Sequence, residues 1–516
     1  MRNNIGLWVA KRAHLNPSTE ALVDVTSGTR MTYPELDARC NRAANGLTDA
    51  GVGAGDRVAL LLMNGPEFVE TFFGAAKLGA VSVPLNWRLV ADELSFILTD
   101  SGATPMVFGS AFTEVVTELH ERGTDGTQVT TWIHVGDPGD RPEFAVGYED
   151  VLARSSADAP EIGGSDDDLL FIMYTSGTTG LPKGVMHTHN TTRWSVITDN
   201  TTADTQYGDR YLICLPMFHV GALNPMLSIV NLGGSGVIMS EFDPVKIWEV
   251  YGDEKLPVTP AGPAMPHFLL LTDAAAAHDT SSRRWVMSGA APVPESLITT
   301  SAEMGIEIHQ VYGLTETAGP ACLISPEDAL ERVGSTGKAF FYTEVRVVDE
   351  DGNDCGVDEP GEVWVAGPHI MTGYWNRPEA TAETVVDGWL HTGDVADIDA
   401  DGFVYIQDRV KDMIISGGEN VYPAEIENVI LSMDGVNEVA VIGLPSEKWG
   451  ESPLAIVVKG DEDLTAEDVL AYTDGKLARF KQPKGVEFTD VIPRNPTGKV
   501  LKRVLRDQFA DTAVPE

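Results

Sequence analysis

The run Tyr174-Thr175-Ser176-Gly177-Thr178-Thr179-Gly180-Leu181-Pro182-Lys183-Gly184 follows directly on an apolar stretch at 169–173. Gly177 and Gly180 let backbone N–H groups turn toward an anion, the hydroxyls of Thr175, Ser176, Thr178 and Thr179 add donors, and Lys183 adds a mobile positive charge. This is the chemistry of a polyphosphate grip, and ATP is the ligand it implies. A Walker loop needs glycine before its lysine and Ser or Thr after it. Here Pro182 precedes Lys183 and Gly184 follows, which excludes that reading at both flanks.

Four further segments combine turn chemistry with chemically able side chains. Tyr312-Gly313-Leu314-Thr315-Glu316-Thr317 offers an aromatic ring, hydroxyls and a carboxylate, and reads equally as a turn opening a helix. Trp389-Leu390-His391-Thr392-Gly393-Asp394 ends on a carboxylate, whose acceptor-only oxygens suit a diol. Ser288-Gly289-Ala290-Ala291-Pro292 is a small-residue segment, and Asp408-Arg409-Val410-Lys411-Asp412 leads through Ser416, Gly417 and Gly418. Asn495-Pro496-Thr497-Gly498-Lys499 closes the series. Taken singly, each also reads as an ordinary turn or helix opening.

In this order the segments resemble the motifs of the adenylate-forming superfamily: acyl- and aryl-CoA synthetases, nonribosomal adenylation domains and luciferases. The resemblance runs from about residue 7 to 508, and is strongest to bacterial fatty acyl-CoA synthetases of mycobacterial type. It implies ATP, Mg²⁺ and coenzyme A as cofactor and co-substrates. Residues 175–180, Lys183, Gly289, Ala290, Ala291, Tyr312, Asp394, Ile406 and Arg409 are then expected around the nucleotide. Tyr312 would lie against adenine, and Asp394 would take the ribose hydroxyls. Thr315 would meet the α-phosphate, while Glu316 and Thr175 would hold the metal. Asp408 is implied as a hinge and Lys499 as the adenylation lysine. Two positions depart from many relatives: Ala366 stands for a basic residue and Tyr342 for a glycine.

Joining a carboxylate to an α-phosphate forces two anions together, so bridging positive charge is the main requirement. Lys499, Mg²⁺ and Lys183 would supply it. The segment Pro216-Met217-Phe218-His219-Val220-Gly221 resembles the acyl-pocket lining, with His219 gating access and also read as a cap on a buried turn. Gly221, Gly262, Gly313 and Gly319 leave room beside Phe218, so fatty and bulky aryl acids both remain open as substrate. For the acceptor, Ser416, Gly417 and Gly418 would border a thiol channel. Arg479, Lys481 and Lys484 would meet coenzyme A phosphates. A carrier-protein thiol and an amine, the latter as in an amide-forming ligase, are the alternatives.

Composition sets the frame. The 516 residues carry a formal net charge of −41, which argues against nucleic acid or an anionic membrane as partner. Within 476–506 the sign reverses, with nine basic residues against two acidic ones, the local concentration a polyanionic substrate needs. No segment has the apolar length of a signal peptide or a membrane span, so a cytoplasmic monomer or homodimer is expected. Four scattered cysteines are expected as reduced thiols in cores, and His187 with His189 as strand-end residues rather than metal ligands.

Apolar runs at 58–63, 80–84, 211–216 and 235–240 alternate with helical stretches such as 67–79, which is βαβ grammar. From about Gly334 shorter runs and Asp/Gly turns take over, at 344–348, 362–365 and 403–406. The expectation is an α/β chain: a large domain, 1–407, of two parallel α/β subdomains plus a small β-barrel, and a small mobile α+β domain, 408–516.

Overall fold

The computed structural model describes residues 3–175, 182–261, 278–279, 281–282, 284–289, 295–303, 306–325, 327–409, 412–416, 419–446, 449–474, 476–477, 479, 481–494, 500–510 and 512. Two large sheets dominate the first part of the chain. One has nine strands, in the order Lys338–Ala339, Gly319–Leu323, Ile308–Leu314, Trp285–Ser288, Val258–Ala261, Arg210–Ile213, Ser235–Ile238, Glu20–Asp24 and Arg30–Thr32. The other has eight: Gly373–Tyr374, Lys183–Thr188, Leu169–Thr175, Val81–Pro84, Arg57–Leu61, Pro105–Gly109, Thr131–Val135 and Val146–Gly147.

Both sheets are parallel inside, as the βαβ rhythm requires. Their margins add antiparallel pairs, Leu169–Thr175 with Lys183–Thr188 and Ile308–Leu314 with Gly319–Leu323. These two margins carry the phosphate-loop and Thr315-Glu316 segments. Parallel neighbours need long crossovers, whereas antiparallel neighbours close through short loops, so the compact motifs fall where strand direction reverses.

Local signals account for the helices. Pro66–Leu78 opens on proline and stops at Gly79, whose φ of 71° is left-handed. A Cβ on Gly79 would sit 2.5 Å from the Gly164 backbone nitrogen, so this glycine also admits the chain crossing behind it. Tyr33–Asp49 starts with a Thr32/Glu35 capping box and packs on the same helix. Between them Lys77 Nζ lies 2.5 Å from Asp37 Oδ1 and from Asn41 Oδ1, and buried Glu70 accepts from Arg39 and Tyr148. Each buried charge is therefore met by a partner.

From Glu344 the chain forms a separate antiparallel sheet of Glu344–Val348, Gly361–Ala366, Trp389–Ile398, Val385–Val386 and Val404–Arg409. The last strand begins one residue later than expected and runs on through Asp408. The next strand, Ile414–Ser416, already belongs to a different sheet with Glu419–Val421, Gly450–Lys459, Val436–Ser446 and Gly485–Phe488. Helices Pro423–Leu431, Ala466–Thr473 and Lys502–Gln508 complete that α+β unit.

Cys40, Cys214 and Cys322 are buried thiols. Cys355 corrects the expectation, being only half-buried, because it sits in the turn region after Glu344–Val348. Among the described residues no helix is long and apolar enough to cross a membrane.

Candidate active site

The base of the phosphate loop is a tight ladder. Tyr174 pairs with Gly184 and Thr175 with Lys183, so the loop between them leaves and returns at one point. Ser176, Gly177, Thr178, Thr179 and Gly180 lie outside the described residues. The Tyr174 hydroxyl donates to Asp100 at 2.7 Å, and Arg377 donates to the same carboxylate at 2.9 Å, fixing one leg of the ladder. Gly184 serves packing: a Cβ there would meet Ile172 at 2.7 Å and the Tyr174 ring at 3.0 Å. Lys183 extends its ammonium over the Tyr374 ring, 4.8 Å from the centroid.

Facing it, strand Ile308–Leu314 ends in the short 3-10 turn Thr315–Thr317. Thr317 Oγ1 accepts the Leu314 N–H at 3.0 Å and caps the turn. The turn is tied to the phosphate-loop sheet at three points. His187 Nε2 donates to the Thr315 carbonyl at 2.7 Å, the Met371 N–H donates to the Glu316 carbonyl at 2.8 Å, and the Tyr374 hydroxyl donates to Glu316 Oε1 at 2.8 Å. Burial pushes His187 down to about 4 and keeps the ring neutral. Its Nδ1 then accepts from Thr191 Oγ1 at 3.2 Å. Glu316 and Thr175 offer oxygen donors of the kind a hard divalent cation takes. Among the described residues no cluster of three or more His, Cys, Asp or Glu forms a cation site.

A second cluster joins Tyr312 to Asp394. The buried Tyr312 hydroxyl donates to Asp394 Oδ2 at 2.8 Å, and Asp394 is itself buried. Burial and the neighbouring carboxylate raise the phenol well above its usual range. Gly393, at φ 70°, turns its N–H to Glu362 Oε1 at 2.9 Å and so aims the aspartate. In register, Asp394 lies opposite Arg409 and Val395 opposite Asp408, while half-buried Ile406 lies beside Ala396. Gly289 abuts the neighbouring strand, because a Cβ there would fall 2.5 Å from Val311 Cγ1 and 2.6 Å from its carbonyl oxygen. Ala290 and Ala291 lie outside the described residues.

Around the expected acyl pocket, Phe218 is buried edge-on to Trp87, with ring centroids 5.9 Å apart. His219 precedes helix Val220–Leu232 but makes no side-chain cap. Its Nε2 is shielded and has no hydrogen-bond partner among the described residues, and burial pushes the ring down to about 3. Gly221 is exposed in the first turn of that helix, and Gly313 faces Pro320 at a bulge. Gly319 has φ 135°, and a Cβ there would lie 3.0 Å from Asn224 Nδ2. Asn224 in turn donates to the half-buried Asp199 at 2.5 Å, with Ser228 Oγ 3.3 Å from the same oxygen. Gly262 lies outside the described residues. At the other departure noted in the sequence, Tyr342 takes a left-handed φ of 62° with its ring 5.2 Å from that of Trp194.

In the C-terminal unit Ser416 is buried at a strand end, while Gly417, Gly418 and Lys499 lie outside the described residues. The basic window is partly neutralised from within. Lys481 Nζ pairs with Glu425 at 2.7 Å, Arg494 with Glu438 at 2.7 Å, Lys502 with Glu427 at 3.0 Å and Arg506 with Asp412 at 3.0 Å. Lys484 donates to the Arg479 carbonyl at 3.1 Å. Sequence reading missed the links made by Tyr374 and His187, and the Asp199–Asn224 pair. These join residues far apart in the chain, and no local spacing marks them.

Comparison with known proteins places these features in a wider set. The family model described as "AMP-binding enzyme" matches residues 9–375, and "AMP-binding enzyme C-terminal domain" matches 425–499. Long-chain-fatty-acid–CoA ligase FadD13 of Mycobacterium tuberculosis is 45% identical over 509 residues, covering 99% of each chain. Feruloyl-CoA synthase of an Amycolatopsis species is 38% identical over 512 residues, covering 99% of this chain and 100% of that protein. The solved fatty acyl CoA synthetase of Mycobacterium tuberculosis superposes with a TM-score of 0.80 at 43% identity, covering 99% of both chains.

Proposed function

Since the chain belongs to the AMP-binding enzyme family of adenylate-forming ligases, we propose that it activates a carboxylic acid with ATP to acyl-AMP, releasing pyrophosphate, and passes the acyl group to coenzyme A. The observation that carries this reading is the convergence of Lys183, Thr315-Glu316 and Tyr312–Asp394 on the antiparallel margins of the two sheets and the small sheet beside them. Relatives are named for fatty and aryl acids alike, and both acid classes remain in the proposal. Those two relatives are named for coenzyme A as the acceptor, which favours a thiol over an amine.

In the first half-reaction the acid's carboxylate oxygen attacks the α-phosphorus and pyrophosphate leaves. Asp394 would accept the ribose hydroxyls, and Tyr312 would hold that carboxylate from its other side. Thr315 would donate to the α-phosphate, while Lys183 would offset the charge of the outer phosphates. Mg²⁺, bound through Glu316 and Thr175, would supply further positive charge. Lys499 would bridge the two anions as they meet, and neutral His219 would border the acid's path. In the second half-reaction the coenzyme A sulfur attacks the acyl carbon and AMP leaves.

The proposed domain limits, 1–407 and 408–516, with Asp408 as hinge, draw support from the change of sheet between Arg409 and Ile414. Gly417 and Gly418 would then flank the thiol channel. Pyrophosphate release measured across fatty and aryl acids, with mass analysis after adding coenzyme A or amines, tests the whole reading. Lys499→Ala should abolish pyrophosphate release yet spare much of thioester formation from supplied acyl-AMP. Release at the wild-type rate in that variant would remove Lys499 from the mechanism.

A further inference from the structure

Tyr374 stands between two groups that would otherwise attract each other. Its hydroxyl donates to Glu316 Oε1 at 2.8 Å, and its ring face carries the Lys183 ammonium at 4.8 Å. The residue is 7% exposed, so little water competes for the hydroxyl that donates to Glu316. Its placement is rigid. Strand Gly373–Tyr374 pairs with Lys183–Thr188, Gly373 opposite Met186 and Tyr374 opposite Val185. The Trp375 N–H donates to the Gly184 carbonyl at 2.7 Å, and the Tyr374 N–H to Thr381 Oγ1 at 2.9 Å. The strand that carries Lys183 and the residue that holds Glu316 are thus parts of one hydrogen-bonded unit.

A lysine and a glutamate converging on the same polyphosphate and cation have a competing state in which they pair directly. That state would cancel both charges before a nucleotide arrives. We propose that Tyr374 is a positioning residue that holds Glu316 toward the metal side of the site and Lys183 on its ring face, keeping the two apart and ready for metal-bound ATP. The inference rests on the ATP-dependent ligase reading above and assigns this chain a spacer between its cation ligand and its phosphate lysine.

The test is the affinity of the acid-free protein for ATP with Mg²⁺, measured by calorimetry and read beside steady-state kinetics. Tyr374→Phe keeps the ring and removes only the hydroxyl. It should weaken MgATP binding and raise KM for ATP about tenfold, as expected for losing a hydrogen bond to a carboxylate, with kcat changed less than about threefold. The Mg²⁺ concentration for half-maximal binding should rise with it. In the Glu316→Gln background the same substitution should change binding by less than about twofold, because the partner it holds is already altered. A uniform structural defect would weaken binding equally in both backgrounds, and that result overturns the proposal. Unchanged binding in Tyr374→Phe also overturns it while leaving the ligase reading intact. Wild-type protein that binds no MgATP would overturn the ligase reading and this inference together.

Discussion

His187 Nε2 lies 2.7 Å from the carbonyl oxygen of Thr315, joining the strand that leaves the phosphate loop to the turn that carries Glu316. The ring is fully shielded and neutral, with Nδ1 accepting from Thr191, so both nitrogens are used. Removing the ring would leave a half-buried carbonyl without its donor and open a gap between the sheets. His187→Ala is expected to lower stability by about 2–3 kcal/mol. His187→Gln, whose amide can both donate and accept, should recover about half. Urea unfolding of the three proteins checks this, and equal midpoints would show that the link bears no load.

Tyr312 and Asp394 supply a second prediction. Tyr312→Phe removes a donor from a buried carboxylate and should cost about 1–3 kcal/mol in the nucleotide-free protein. If Asp394 receives the ribose hydroxyls, AMP brings replacement donors, and the cost should shrink when AMP is saturating. Thermal unfolding with and without AMP separates the two states. A penalty that is the same in both would place the ribose elsewhere.

Much of this arrangement was legible in the sequence, and the limit has a physical cause. Gly79 ends its helix within a residue of the expected position, because a left-handed cap is a local event. The short strands after Glu344 appear where alternating residues and Asp/Gly turns put them. The antiparallel sheet margins were not legible, since an apolar run carries no sign of its neighbour's direction. Lys481 illustrates the same limit. Its charge was visible, but its pairing with Glu425 arises from a contact across 56 residues of chain. The residues that hold Glu316 and Thr315 in place were missed for this reason.

Stability should depend on pH in two opposed ways. His187, His189 and His369 are pushed down to about 4 and His219 to about 3 by burial. Between about pH 6.5 and 4 the unfolded chain therefore takes up protons that the folded chain refuses, so stability falls as pH falls. Asp199 acts with the opposite sign, because burial raises it to about 7. From about pH 4 to 7 the folded state keeps a proton that the unfolded state has released, and stability from this group is lost as pH rises. Asp199→Asn removes that second component. The variant should gain on the order of a few kcal/mol relative to wild type at pH 8, and about nothing at pH 4. Unfolding curves at both values test the sign, and a variant destabilised at pH 8 would show that Asp199 is held ionised by its neighbours.

The basic C-terminal window makes the last prediction, because its members are not equivalent. Lys481 is already paired with Glu425 at 2.7 Å in a partly exposed bridge, so its field toward an incoming polyanion is largely offset. Arg479 is exposed, and a second cation lies beside it: Lys484 donates to its carbonyl and feels its charge. If coenzyme A phosphates dock here, Arg479→Ala should raise KM for coenzyme A about five- to tenfold without altering pyrophosphate release. Lys481→Ala should change KM by less than about twofold. Since exposed charges are screened over roughly 8 Å at physiological salt, the Arg479 effect should shrink as ionic strength rises. Thioester formation measured at two salt concentrations decides it. A larger effect at Lys481 than at Arg479 would mean that Glu425 yields its partner to the substrate, and that the bridge is exchanged during binding.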